Sequence, residues 1–69
     1  MTSQENIDQA VRLVDEVVNL SDEERRVLKK RVIEAARGDE AALAYVILFP
    51  YDHNNRDIIS RILGLILGK

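Results

Sequence analysis

The sequence predicts a compact all-α domain of four helices joined by short loops, and three observations point to it. Apolar residues recur at spacings of three and four, the period of a helix that buries one face. Residues with helix-capping chemistry precede the apolar segments, and glycine or proline follows most of them. A chain of 69 residues with 46% apolar residues and no cysteine is predicted to form a single domain over residues 1–69, held by packing rather than by disulfides.

The first helix is predicted over residues 3–19. Thr2 and Glu5 have the spacing of a capping box, in which the hydroxyl accepts from an amide three residues on and the carboxylate reaches back. Valine is a mediocre helix former, so packing must hold this segment more than intrinsic propensity does. The apolar positions share one face of the wheel: Ile7, Ala10, Val11, Val14, Val17 and Val18.

The second helix is predicted over residues 22–37 and has the clearest local signal. Ser21 is an N-cap, and Glu24 completes a second capping box. Gly38 supplies the left-handed residue that commonly ends a helix. Its inner stripe consists of Leu28, Val32, Ala35 and Ala36, whereas Ile33 falls on the solvent side of the wheel.

The third helix is predicted over residues 40–49, with Asp39 as its cap and almost no loop before it. Residues 41–49 are apolar at every angle of a helical wheel, and the β-branched and aromatic second half makes a buried strand a rival interpretation. The cap, the alanines and the lack of another strand-like segment favour a helix. Because a helix that is apolar on every side needs cover on every side, we predict that helix three is central.

The fourth helix is predicted over residues 56–67, after Pro50 ends the third and residues 51–55 form a loop. Asn54 or Asn55 is expected to cap it. Glycine inside a helix costs about 1 kcal/mol relative to alanine. We therefore expect a neighbouring backbone to pack closely against Gly64.

Candidate chemistry concentrates in the loop before helix four. Tyr51, Asp52, His53 and Ser60 are residue types of an acid–base site, but adjacency in sequence provides neither a substrate within reach nor an orienting group. A calcium loop is not formed either, because Arg56 stands where an oxygen ligand is needed. One histidine without cysteine does not make a zinc site. We predict no catalytic, cofactor or metal residues and no small-molecule ligand.

The charge pattern argues against nucleic acid and membrane partners. The net charge is −2, and no aromatic or amide side chain suited to reading bases accompanies the basic residues of helix two: Arg25, Arg26, Lys29, Lys30 and Arg31. The polar, acidic start is unlike a signal peptide. The longest uncharged stretch is far shorter than the roughly 20 residues that span a bilayer. The expectation is a soluble protein of undetermined compartment.

The combination of two capping boxes, the Gly38-Asp39 junction and a cysteine-free aliphatic core resembles a de novo designed small all-α protein. The resemblance implies that the purpose of the chain is its fold or a programmed contact. The leading prediction is therefore a designed structural protein that is not an enzyme.

Two other functions stay open. The first is a protein-binding or self-assembling module that uses apolar surface of helices three and four, including a homodimer in which Gly64 lets two helices approach. Its contact residues would be Ile33, Tyr45, Phe49, Tyr51 and Leu65, because aromatic and aliphatic anchors dominate many interfaces. The weaker one is a natural helix-turn-helix-like DNA regulator.

Overall fold

All four predicted helices are present in the computed structural model, which describes residues 2–49 and 53–67. They are α1 (Gln4–Val14), α2 (Asp22–Ala36), α3 (Glu40–Leu48) and α4 (Arg56–Ile66). One turn of 3-10 helix, His53–Asn55, leads into α4. The two described ranges contain no strand, which confirms the all-α prediction and the helical interpretation of the third segment.

Helix α1 ends at Val14, so the prediction that it extends to residue 19 is wrong. Asn19 has a φ of 64°, a left-handed conformation that no α-helix contains. Nη1 of Arg25 donates to the carbonyls of Val14 at 2.8 Å and Val17 at 3.2 Å. These bonds satisfy the last carbonyl of the helix and one carbonyl of the linker that follows, so the chain can leave helical geometry with both groups hydrogen-bonded.

Asn55 holds the α1–α2 linker, residues 15–21, against the start of α4. Its side chain is 1% exposed, accepts from the Val18 N–H at 2.9 Å and donates to the Val18 carbonyl at 2.8 Å. Asn55 occupies the N-cap position of α4, as predicted, but its side chain makes no capping bond. The amide is used for a long-range contact instead of a local one.

The N-cap of α1 is Ser3 rather than Thr2. The Ser3 hydroxyl accepts from the Asn6 N–H at 3.2 Å. The Thr2 hydroxyl instead donates to the Ile66 carbonyl, which joins the beginning of the described chain to the end of α4. The predicted Thr2 capping box is therefore replaced by a cap one residue later and a tertiary hydrogen bond.

The capping box of α2 is confirmed in full. The Ser21 N–H donates to Oε1 of Glu24 at 3.0 Å, and the Ser21 hydroxyl accepts from the Glu24 N–H at 3.1 Å. The bond from the Ser21 backbone, followed by the contact with its hydroxyl, holds the pKa of Glu24 below its ordinary value.

A joint of three residues, 37–39, connects α2 to α3. Gly38 has a φ of 103°, and its N–H donates to the Ala35 carbonyl at 3.1 Å, while the Asp39 N–H donates to the Glu34 carbonyl at 3.1 Å. This pair of bonds is the Schellman motif. The Asp39 carboxylate also accepts from the Ala42 N–H at 3.1 Å, so one residue ends α2 and caps α3.

The core of the described chain is aliphatic. α1 packs against both α4 and α2, and α2 packs on α3, within a body of 30 × 20 × 18 Å. The whole predicted inner stripe of α2 is buried. The buried apolar residues are Ile7, Ala10, Val14, Val17, Leu28, Val32, Ala35, Ala36, Ala42, Val46, Ile59, Ile62 and Ile66.

The prediction that helix three is central is wrong. Among its residues only Ala42 and Val46 are buried, and α3 contacts α2 closely, α4 slightly and α1 not at all. The short joint places α3 beside α2 and out of contact with α1. Neighbours therefore cover one side of α3, and its opposite side faces solvent.

Candidate functional site

The residues predicted to form a protein contact lie in separate places. Tyr45 and Phe49 share one side of α3, Ile33 lies between α2 and α1, and Leu65 lies on α4 facing α1. Tyr51 lies outside the described residues. The structure therefore brings two of these side chains together and separates the others.

Tyr45 and Phe49 form an aromatic pair beside α2. Their ring centroids are 5.5 Å apart at an interplanar angle of 56°, and both side chains are half-buried. The guanidinium carbon of Arg31 lies 5.5 Å from the centre of the Tyr45 ring, within range of a cation–π contact. Nη1 of Arg31 also pairs with Oε1 of Glu34 at 3.1 Å. These contacts hold the two rings within the protein, so the pair is not a freely exposed contact site.

Ile33 is half-buried rather than solvent-facing. It packs against the core and lines a groove of about 310 Å³ between α1 and α2. Ile7 and Val11 share this groove with it, and Arg12 and Arg37 also line it. We call this feature the α1–α2 groove.

Leu65 is half-buried and lines a shallow groove of about 380 Å³ with Leu13 and Gly64. Its carbonyl accepts from Nδ2 of Asn6 at 3.3 Å. A Cβ placed on Gly64 would meet nothing within 4 Å. Apart from its own helix, no described backbone therefore approaches Gly64 closely, so the described residues do not supply the packing reason expected for this glycine.

The outer side of α3 is a continuous exposed apolar surface. We call it the α3 face and define it by Ala41, Ala44, Ile47 and Leu48; Ile47 is 50% exposed and Leu48 77%. Ala41, Ala44, Tyr45, Leu48 and Phe49 line a hollow of about 380 Å³ on this side.

Sequence reasoning did not name Ile47 or Leu48 as contact residues. The signal was present, because a helix that is apolar at every angle must leave apolar side chains in water if its neighbours cover only one side. The self-assembly alternative did include apolar surface of helix three, but the residues it named on that helix and directly after it were Tyr45 and Phe49.

The basic cluster of α2 does not form one surface. Nζ of Lys29 pairs with Oδ1 of Asp15 at 2.8 Å, and Arg31 pairs with Glu34. The cluster thus divides into side chains engaged within the protein, Arg25, Lys29 and Arg31, and exposed ones, Arg26 and Lys30.

Of the four residues with acid–base chemistry, the structure describes His53 and Ser60. His53 is exposed on the 3-10 turn and Ser60 is exposed on α4, while Asp52 and Tyr51 lie outside the described residues. Within residues 2–49 and 53–67, no group of three or more acidic, histidine or cysteine side chains is placed to hold a metal ion.

Two surfaces therefore stand out by their geometry, the α3 face and the α1–α2 groove. None of the described helices has the length and apolar character required to cross a membrane. Comparison with protein-family models, with curated protein sequences and with solved structures finds no match to this chain.

Proposed function

We propose that the protein is a helical interaction module that binds a second copy of itself through the α3 face. The observation that carries the proposal is the exposure of Leu48, at 77%, on a helix whose outward side bears only one polar side chain, Glu40. Single exposed apolar residues are common, but a contiguous apolar strip is typical of a contact surface.

The shape of the α3 face is self-complementary. Its first half carries the small residues Ala41 and Ala44, and its second half carries the large residues Ile47 and Leu48. A two-fold axis between Ala44 and Tyr45 makes two α3 helices antiparallel and sets the Leu48 side chain of each copy opposite Ala41 of the other. The span from Ala41 to Leu48 is roughly 10 Å, about two helical turns.

The charges on α3 favour the same antiparallel arrangement. Glu40, in the first turn, is the charged residue of this helix and is exposed. Antiparallel pairing keeps the two Glu40 carboxylates at opposite ends of the contact, in water, and opposes the two helix dipoles. Parallel pairing would place the two carboxylates side by side.

The contact is expected to be weak because α3 has only nine residues. A contact through one short helix lies at the small end of specific interfaces, which bury about 1,200–2,000 Å² in total. Monomer and dimer should therefore exchange within an accessible range of protein concentration.

Sedimentation equilibrium from roughly 10 µM to 1 mM tests the proposal. The weight-average mass of the wild type should rise from the monomer value of 7.9 kDa as concentration increases. Leu48→Glu should remain monomeric throughout and keep its helical circular dichroism, because the side chain is mostly in water in the monomer. Leu67→Glu is the matched control: Leu67 is 47% exposed, lies at the end of α4, and should leave self-association unchanged.

Two results would contradict the proposal. One is a wild type whose mass stays at 7.9 kDa over the whole range. The other is a Leu48→Glu variant that associates as strongly as the wild type. If Leu67→Glu alone abolishes association, the contact belongs to the end of α4 and not to the α3 face.

The prediction of a designed structural protein without enzymatic activity stays a prediction, as does the weaker prediction of a DNA regulator. Neither bears on the α3 face, since a designed or a natural chain can present the same surface. The proposal replaces Leu65 with Leu48 as the main contact residue, because Leu65 is half-buried against α1.

A further inference from the structure

The α1–α2 groove differs chemically from the α3 face. Its floor is aliphatic and consists of Ile7, Val11 and Ile33, with Ile7 almost fully buried. Two exposed arginines, Arg12 from α1 and Arg37 from the end of α2, line the same groove of about 310 Å³. Apolar floor and cationic edges thus occur together in one concave surface.

The groove carries a net positive charge, because its lining has two guanidinium groups and one carboxylate. Its one acidic lining residue, Asp8, already accepts a hydrogen bond from Nε2 of Gln4 at 3.0 Å. Neither Arg12 nor Arg37 forms an ion pair in the part of the chain that the structure describes, where the pairs formed are Lys29–Asp15 and Arg31–Glu34. The guanidinium groups of Arg12 and Arg37 thus outnumber the single carboxylate of Asp8 beside the apolar floor, in a protein whose net charge is −2.

We propose that the α1–α2 groove binds an acidic amphipathic helix of a partner protein. An aliphatic side chain of the partner would lie on the Ile33 floor, with a carboxylate for Arg12 and another for Arg37. Guanidinium and carboxylate match in planar, two-bond geometry, and the aliphatic stems of arginine can cover the apolar residue between them. This proposal uses helices other than α3 and does not rest on the proposed self-association.

The composition of the groove argues against two other anionic ligands. A nucleic acid needs stacking surfaces and a uniformly cationic path, whereas this groove lacks aromatic residues, contains Asp8 and has an apolar floor. A fatty acid needs an enclosed cavity for its alkyl chain, whereas this groove lies open along the surface. A helical protein segment fits the groove better, because its own apolar side chains would cover the aliphatic floor.

Peptide titration followed by ¹⁵N amide chemical shifts tests the proposal. The probe is a capped helical peptide of about 15 residues made of alanine, leucine and glutamate, with leucines four apart and glutamates on both sides of the leucine stripe. The matched probe has glutamine in place of every glutamate. The acidic probe should bind saturably, shift amides of Gln4–Val14 and of residues 33–37, and bind about tenfold more tightly than the glutamine probe.

Paired charge variants make the test specific. Arg12→Gln combined with Arg37→Gln should weaken binding of the acidic probe about tenfold and leave the glutamine probe unaffected. Arg56→Gln combined with Arg61→Gln removes the same charge from exposed positions of α4 and should change neither.

Three results would overturn the inference. The acidic probe could fail to bind saturably, it could shift amides of α3 instead of the groove, or both double variants could weaken it equally. The last result would show attraction to overall charge rather than recognition by the groove. Both double variants alter exposed side chains, and circular dichroism verifies that they fold.

Discussion

α3 and α4 are both rich in apolar residues, yet the protein uses them differently. α4 buries Ile59, Ile62 and Ile66 along one side, whereas α3 buries only Ala42 and Val46 and leaves Ile47 and Leu48 exposed. The polar residues of α4 are gathered on the opposite side, and they define which side faces inward: Asp57, Ser60 and Arg61. α3 has no such division. The separation of polar from apolar residues, more than their proportion, decides how a helix is buried.

The largest expected effect is a direct contrast between the two helices. Ile62→Ala in α4 should lower the free energy of unfolding by about 3–4 kcal/mol, because the side chain is 0% exposed and a cavity would remain. Ile47→Ala in α3 makes the same chemical change at a side chain that is 50% exposed, and should cost below about 1 kcal/mol. Urea denaturation of both variants measures the difference, and equal losses would show that α3 is as well covered as α4.

The next effect concerns how α4 is anchored. Asn55→Ala removes both bonds to Val18 and leaves the Val18 N–H and carbonyl without their partner, which should cost about 2–3 kcal/mol. Hydrogen exchange at the Val18 amide should accelerate together with the loss of stability. Ser60→Ala, at an exposed position of the same helix, is the control and should change stability by less than about 0.5 kcal/mol. A slow Val18 amide in Asn55→Ala would mean that the linker is held by other contacts.

The start of α3 relies on a local cap in place of such an anchor. Asp39→Ala removes the acceptor for the Ala42 N–H and should cost about 1 kcal/mol. Asp39→Asn keeps a side-chain oxygen at the same place and should recover most of that loss. Thermal unfolding of the two variants decides between them, and an asparagine variant as unstable as the alanine variant would assign the effect to charge and not to the cap.

The smallest effect has the opposite sign. Gly64→Ala should raise stability by about 0.5–1 kcal/mol, since alanine is the better helix former and its methyl group meets nothing within 4 Å. Gly38→Ala should instead destabilise the protein, because the φ of 103° is strained for a residue with a side chain. A loss of stability in Gly64→Ala at high protein concentration, absent at low concentration, would indicate that a second chain packs against this glycine.

Sequence reasoning succeeded where the determining contacts are local. Ser21 with Glu24, the Gly38 terminus and the Asp39 cap all act within a few residues, so the beginnings of α2 and α3 and the end of α2 followed from the sequence. The early end of α1 did not follow, because the side chains that hold the chain beyond it lie outside α1: Arg25 bonds to the Val14 carbonyl, and Asn55, distant in sequence, bonds to Val18.

The exposed site was missed for a different physical reason. Apolar residues that repeat every three or four positions identify which side of a helix faces the core. Residues 41–49 have no such pattern, because nearly every position is apolar. Their position depends on the helices available to cover them, which only the assembled fold shows. Ile47 and Leu48 therefore became candidates only once α3 was seen at the edge.

The joint at Gly38 and Asp39 determines the rotational setting of α3 about its own axis. Successive side chains of an α-helix are rotated by about 100° around its axis. One residue inserted at the joint would therefore rotate α3 by that angle if the helix axis kept its position beside α2. The turned helix would still offer apolar side chains to α2, so hydrophobic burial would oppose the rotation only slightly. The length of a three-residue connection thus determines that Leu48 faces outward, and a single insertion there would change the surface that the protein presents to its surroundings.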